Sequence, residues 1–165
     1  MNHFDAEGRA RMVDVSAKAE SERTACASGS VKVSREVLDA ILSGNVKKGD
    51  VLGVARIAGI MGAKRTSELI PLCHPIPLTA CTLEWEIDEV SRRVTALCTV
   101  RCTGRTGVEM EALTGVSAAL LAVYDMCKSM DRGMVIGDIC LLHKAGGTSG
   151  EWNRPGEGAE AEAEK

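Results

Sequence analysis

Asp125 and Lys128 stand three residues apart in the run Tyr124-Asp125-Met126-Cys127-Lys128, a spacing that puts a carboxylate and an ammonium on one helix surface. On an arbitrary helix this would be a solvated ion pair worth a few tenths of a kcal/mol. Here Tyr124, Met126 and Cys127 set the pair at the rim of a largely apolar helix end. Such surroundings could shift the pKa values of both groups toward proton transfer.

Three further constellations could carry chemistry. Leu72-Cys73-His74-Pro75 presents an imidazole on a proline-stiffened loop, suited to acid or base work or to hydrogen bonding a purine-derived ring. A histidine that merely caps a helix or satisfies a turn carbonyl is the bland alternative. Metal ligation is disfavoured, because Cys73 and His74 are adjacent and no second histidine lies at ligand spacing. In Glu109-Met110-Glu111, Thr106-x-x-Glu109 matches a capping box, which explains Glu109 structurally and leaves Glu111 as the stronger functional candidate. Were the backbone still extended there, both carboxylates would point to one side. Lastly, Lys47, Lys48, Lys64, Arg65, Arg101, Arg105, Lys128 and Lys144 fall mainly near predicted element ends. Several converging on one cleft would hold a polyphosphate. The stretch Gly59 to Thr66 imitates a phosphate loop, but its glycine spacing is wrong and it lies mid-helix.

Periodicity supplies the elements that must position these groups. Residues near 22–33 read as a strand ending at Ser34, an N-cap for a helix with Val37, Leu38, Ile41 and Leu42 on one face, stopped by Gly44. A second helix is expected from Asp50 to about Leu69, its Gly53, Gly59 and Gly62 permitting close packing. The prolines at 71, 75 and 77 force an extended passage. Cys81, Leu83, Trp85 and Ile87, then Val94, Ala96, Cys98, Val100 and Cys102, alternate with polar residues across a turn at 88–92, as an antiparallel hairpin does. Leu113 to Cys127 forms an amphipathic third helix, and Met134 to Lys144 a closing strand before the glycine-rich stretch 145–150. The order β-α-α-β-β-α-β predicts an α+β fold: a ferredoxin-like antiparallel sheet with helices packed on one face and one extra helix.

Composition narrows the function classes. The 165 residues, 45% apolar, suit one catalytic domain over 21–152, between a mobile arm at 1–20 and a disordered acidic tail at 153–165. One Phe, one Tyr and two Trp are too few for stacking on bases, and a net charge of −3 gives no general field for nucleic acid. No charged leader opens the chain and no apolar run approaches the roughly 20 residues that cross a bilayer, so a cytoplasmic protein without membrane partners is expected. Seven cysteines without a Cys-x-x-Cys pair argue against disulfides or a zinc ribbon, and most should be buried and reduced.

Seven segments in order, Met12-Val-Asp-Val-Ser-Ala-Lys18, Lys48-Gly-Asp-Val51, Ala55-Arg-Ile-Ala-Gly59, Ala63-Lys-Arg-Thr66, Leu69-Ile-Pro-Leu-Cys-His-Pro75, Thr106-Gly-Val-Glu-Met-Glu-Ala-Leu113 and Tyr124-Asp-Met-Cys-Lys128, resemble the signature segments of the cyclic pyranopterin monophosphate synthases, the molybdenum cofactor biosynthesis protein C family. The resemblance implies a homohexamer, a trimer of dimers with active sites at subunit interfaces. It implies conversion of 3′,8-cyclo-7,8-dihydroguanosine 5′-triphosphate to cyclic pyranopterin monophosphate with loss of pyrophosphate. By the same resemblance Asp125 is the catalytic acid or base with Lys48 and Lys128, the latter sharing proton transfer or holding phosphate. Leu72, Cys73 and His74, with Met110 and Glu111 and their neighbour Glu109, become substrate-binding. Lys64 and Lys144, with Lys18 and Arg105, would surround the triphosphate or the ring system. The family often has an acidic residue where His143 stands and a lysine at Thr148, so the charge of the closing loop departs from its pattern. No resident cofactor or metal is expected, with Mg²⁺ at most accompanying the triphosphate. A non-catalytic nucleotide-binding regulator and a metal-dependent pyrophosphohydrolase acting on ordinary GTP are the competing readings.

Overall fold

The computed structural model describes Phe4 and residues 7–155 of the chain. Its elements run β1 (Ser21–Lys32), α1 (Arg35–Ser43), α2 (Val51–Lys64), α3 (Thr66–Leu69), β2 (Leu78–Asp88), β3 (Arg93–Gly104), α4 (Glu109–Cys127), β4 (Val135–Ala145) and β5 (Trp152–Asn153). The strands form one antiparallel sheet in the order β2-β3-β1-β4-β5. The fold is α+β, and the four long strands take the expected ferredoxin-like order.

β1 lies at the centre, and the reason is its small residues. Ala25, Ala27 and Val31 are fully buried on one side, and a Cβ on Gly29 would stand 2.7 Å from the Val116 side chain of α4. This strand lets α4 descend onto the sheet. α4 in turn takes α2 against it through backbone approach: a Cβ on Gly59 would meet the Gly115 carbonyl oxygen at 2.9 Å, and one on Gly62 would meet Ala118 Cβ at 2.6 Å. Gly59 and Gly62 therefore serve helix packing, as their spacing suggested. Gly53 serves something else, the Asp50 N-cap, whose Oδ1 accepts from the Gly53 N–H at 2.9 Å.

Local signals account for most boundaries. Ser34 accepts from the Val37 N–H at 3.3 Å to start α1, and Gly44 ends it at φ 70°. Asp88 closes the β2–β3 turn by accepting from Val90 and Ser91.

The structure corrects several expectations. The second helix does not run to Leu69: it stops at Lys64, and Thr66 turns its hydroxyl back to the Ala63 carbonyl at 3.0 Å as a new short turn begins. The capping box does not form, since α4 starts after Val108 with no side-chain cap and Glu109 is already helical. On helical backbone Glu109 and Glu111 point to different sides, not to one. α4 is long and apolar enough by composition to span a bilayer, contrary to the reading that no such run exists. It is the core helix, with nine of its nineteen residues buried. Of the seven cysteines, all free, only Cys98, Cys102 and Cys127 are fully buried. Trp152 and Asn153 form an unexpected edge strand on β4, and the Arg154 N–H donates to Leu142 O at 2.8 Å. The expected tail beyond Pro155, and residues 1–3, 5 and 6 of the expected arm, lie outside the described residues.

Candidate active site

α4 carries candidate site residues at both of its ends. At its C-terminal end Lys128 Nζ lies 2.7 Å from Asp125 Oδ1, and Lys48 Nζ lies 3.1 Å from Oδ2 of the same carboxylate and 2.7 Å from the Asp125 carbonyl oxygen. Lys48 gets there because the 44–50 loop is anchored by buried Val46 and turned by Gly49 at φ 97°. All three side chains are exposed. Hydrogen bonds from Lys128 and Lys48, reinforced by their charge, hold the Asp125 carboxyl below the usual carboxylate range. The expected apolar perturbation is thus replaced by a cationic one. The group is a fixed anion able to accept a proton once a lysine lets go. Beside it a cleft of about 440 Å³ opens between Glu36, Lys47, Lys48 and Ser129.

At the N-terminal end of α4 lies a cavity of about 190 Å³. Leu72, Cys73 and His74 enter it from the proline-stiffened loop, and Glu109, Met110 and Glu111 from the first helical turn. These six candidates, drawn from two segments, meet in one place. Glu111 is only 4% exposed, and burial, with Glu109 nearby, pushes its carboxyl above the usual range against the pull of its own backbone N–H. Burial and the Glu111 charge likewise raise the Cys73 thiol. A buried carboxyl, a thiol and an imidazole around an apolar floor can read the N–H and C=O edge of a heterocycle. A second cleft of about 360 Å³ continues past His74 to Arg105, which pairs with Glu20 at 3.8 Å.

Lys64 and Lys144 join neither group. Lys64 ends α2, where its charge lowers the Cys81 thiol behind the hydrogen bond from Cys98. Lys144 sits on β4 opposite Ala25 and Trp152. Val13 and Val15 also line the cavity, and the residues alone did not mark them as site residues. Their alternation with polar Asp14 and Ser16 was the available signal.

The two ends are far apart. Glu111 and Asp125 are separated by 14 residues of one helix, about 21 Å at 1.5 Å per residue. One chain therefore holds two half-sites: Asp125, Lys48 and Lys128 stand apart from His74 and Glu111 along α4.

Comparison with known proteins places these halves in a family. The model of the MoaC family matches residues 12–147. The chain belongs to the MoaC family. Within it, a protein named cyclic pyranopterin monophosphate synthase from Clostridium perfringens (strain 13 / Type A) is 56% identical over 153 residues, covering 93% of this chain and 97% of the relative. One of the same name from Clostridium botulinum (strain Alaska E43 / Type E3) is 56% identical over 151 residues, 92% and 95% of the two chains. The MoaC match spans both half-sites, from Val13 beyond Lys128, so both belong to the family's common body.

The raised Glu111 carboxyl gives a stability test in this MoaC-family chain. Its folded state holds the proton more tightly than the unfolded chain does, so its contribution to stability declines as pH rises through the folded pKa. Glu111→Gln should melt above wild type near about pH 7 and converge on it near about pH 4. Thermal melts across that range check this; a gap that widens toward acid would contradict a buried, proton-retaining Glu111.

Proposed function

We propose that this chain is a cyclic pyranopterin monophosphate synthase, a lyase that converts 3′,8-cyclo-7,8-dihydroguanosine 5′-triphosphate to cyclic pyranopterin monophosphate and pyrophosphate in molybdenum cofactor biosynthesis. The observation that carries the reading is the pairing, in one MoaC-family chain, of a heterocycle-sized cavity containing Glu111 and His74 with a Lys48–Asp125–Lys128 cluster. The reaction needs both. Rearranging a guanine-derived skeleton moves protons between nitrogen and carbon, which suits Asp125 beside two lysines. Closing the cyclic phosphate joins a hydroxyl oxygen to the α-phosphorus while the bond to pyrophosphate breaks, which suits converging cations.

In this reading Asp125 transfers protons with Lys48, Lys128 stabilises charge or shares that transfer, and Leu72, Cys73, His74, Met110 and Glu111 grip the ring system. Lys64, Lys144, Lys18 and Arg105 supply the outer cationic field. Among the described residues no three His, Cys, Asp or Glu side chains gather as a metal site. Mg²⁺ is read as a companion of the triphosphate that departs with pyrophosphate.

The half-sites support a homo-oligomer with sites between chains, which the family resemblance extends to a trimer of dimers. Met110, Leu121 and Asp125 are exposed along α4, Leu121 at 61%, while Thr114 and Ala118 between them are half-buried beside Gly62 of α2. Position 118 lies midway between 111 and 125. A two-fold axis beside the middle of α4, with Leu121 and exposed residues of α2 making the contact, sets the Glu111 end of one chain toward the Asp125 end of the other. Exposed Val54, Ile57 and Met61 of neighbouring α2 extend the same apolar face. Light scattering should give a multiple of the 17.5 kDa chain mass.

A pyrophosphate-release assay comparing GTP with the cyclised nucleotide tests the activity. Release from the cyclised nucleotide alone is expected. Release from GTP with dependence on added metal would favour the pyrophosphohydrolase reading, and binding without release the regulatory one.

A further inference from the structure

The segment before β1 reaches the cavity and touches its histidine. His74 Nε2 lies 2.9 Å from the Val13 carbonyl oxygen, 61 residues away in sequence. A carbonyl oxygen can only accept, so Nε2 carries the hydrogen. In the neutral ring the lone pair then belongs to Nδ1. Pro75 restricts the backbone of His74, which leaves the Val13 contact to select the ring orientation.

The segment is built to make that contact. Val13 and Val15 are half-buried in the cavity wall, whereas Asp14, Ser16 and Ala17 are exposed. Asp14 Oδ1 accepts from the Ser16 N–H at 2.8 Å and from its hydroxyl at 2.5 Å, and the Lys18 N–H donates to Val15 O at 3.0 Å. Those bonds fold 14–18 into a closed turn that brings Lys18 back to the cavity edge.

Resting on the reading of this cavity as the substrate's, we propose that residues 13–18 are a positioning element for His74. The Val13 carbonyl holds the ring as its Nε2–H tautomer, so that His74 offers Nδ1 as a hydrogen-bond acceptor to an N–H or O–H of the nucleotide-derived ring. The same turn delivers Lys18 to the anionic part of that ligand. His74 thus reads a donor on its substrate rather than supplying one.

Histidine ¹⁵N–¹H correlation spectra of the ligand-free full chain test this, with the His74 signals assigned by their loss in His74→Gln. A single Nε2–H tautomer is expected in wild type and a mixture in Val15→Asp, which unseats the turn. Trypsin should cut after Lys18 faster in Val15→Asp and in His74→Asn, whose amide is too short to reach Val13. His74→Gln, whose amide nitrogen can reach, should keep the wild-type cutting rate. Turnover of the cyclised nucleotide by Val15→Asp should fall on the order of 10- to 100-fold, the cost of a misplaced site group, at an unchanged melting temperature. An Nδ1–H tautomer in wild type, or a Val15→Asp chain with unaltered tautomer and cutting rate, would overturn the proposal. Wild type that shows the expected tautomer yet releases no pyrophosphate would instead remove the functional reading alone.

Discussion

Asp125→Asn is expected to cost about 10²–10⁴-fold in turnover of the cyclised nucleotide, the range that a positioned acid or base contributes, with fold and assembly unchanged. The substitution keeps the shape of the side chain and leaves Lys48 and Lys128 in place, but the amide cannot take up a proton. Asp125 is exposed and its two lysine contacts are at the surface, so little stability goes with the carboxylate. Lys48→Ala should lose activity comparably, because that ammonium bridges the carboxylate and the Asp125 carbonyl. Steady-state kinetics with the cyclised nucleotide reads all of this. Turnover by Asp125→Asn within a few-fold of wild type would remove Asp125 from the chemistry.

Gly59→Val should produce the largest loss of stability, about 3 kcal/mol, the upper end of what overpacking costs. A Cβ at Gly59 would stand 2.3 Å from Leu83 Cδ1 and 2.9 Å from the Gly115 carbonyl oxygen. The leucine can move, but the carbonyl belongs to the backbone of α4. α2 and α4 must therefore part, and every contact between them weakens. Gly53→Ala is the control: its Cβ meets only the Asp50 carboxylate, which can swing aside. The cap lost there, about 1 kcal/mol, is offset by a similar gain in helix propensity. Urea unfolding of the two variants should separate them clearly, and equal midpoints would contradict the Gly59–Gly115 contact as a packing constraint.

Much of this fold was legible because its signals are local. The alternation through Leu83 and Trp85, and again through Val94 to Cys102, marks the hairpin directly, and Ser34 and Gly44 bracket α1 by cap chemistry. The break at Arg65 was hidden because Thr66 is a tolerable helix residue until its hydroxyl bonds back to Ala63. Thr106 looked like a cap, but the chain turns at Val108. Trp152 pairs with Lys144 through backbone bonds that no side-chain pattern announces. The site residues were visible as types and segments, and the cavity gathers Leu72 to His74 with Glu109 to Glu111 as expected. Their division into halves was not visible, because it depends on the length of α4, which places Asp125 a full helix away from Glu111. The Val13 contact to His74 was equally hidden, being a backbone atom meeting a side chain 61 residues on.

The most direct test of two chains completing one synthase site is to combine Asp125→Asn with Glu111→Ala. Each variant alone is expected to be inactive. Co-expressed in equal amounts with separate tags and purified through both, a mixed assembly contains sites that join an intact Glu111 from one chain to an intact Asp125 from the other. Random pairing makes half of the dimers mixed, with one intact site in each, so about a quarter of wild-type pyrophosphate release from the cyclised nucleotide should return before tag selection. Tag selection should raise that share. Mixed assemblies as inactive as their parents would contradict the account and place the whole reaction within one chain.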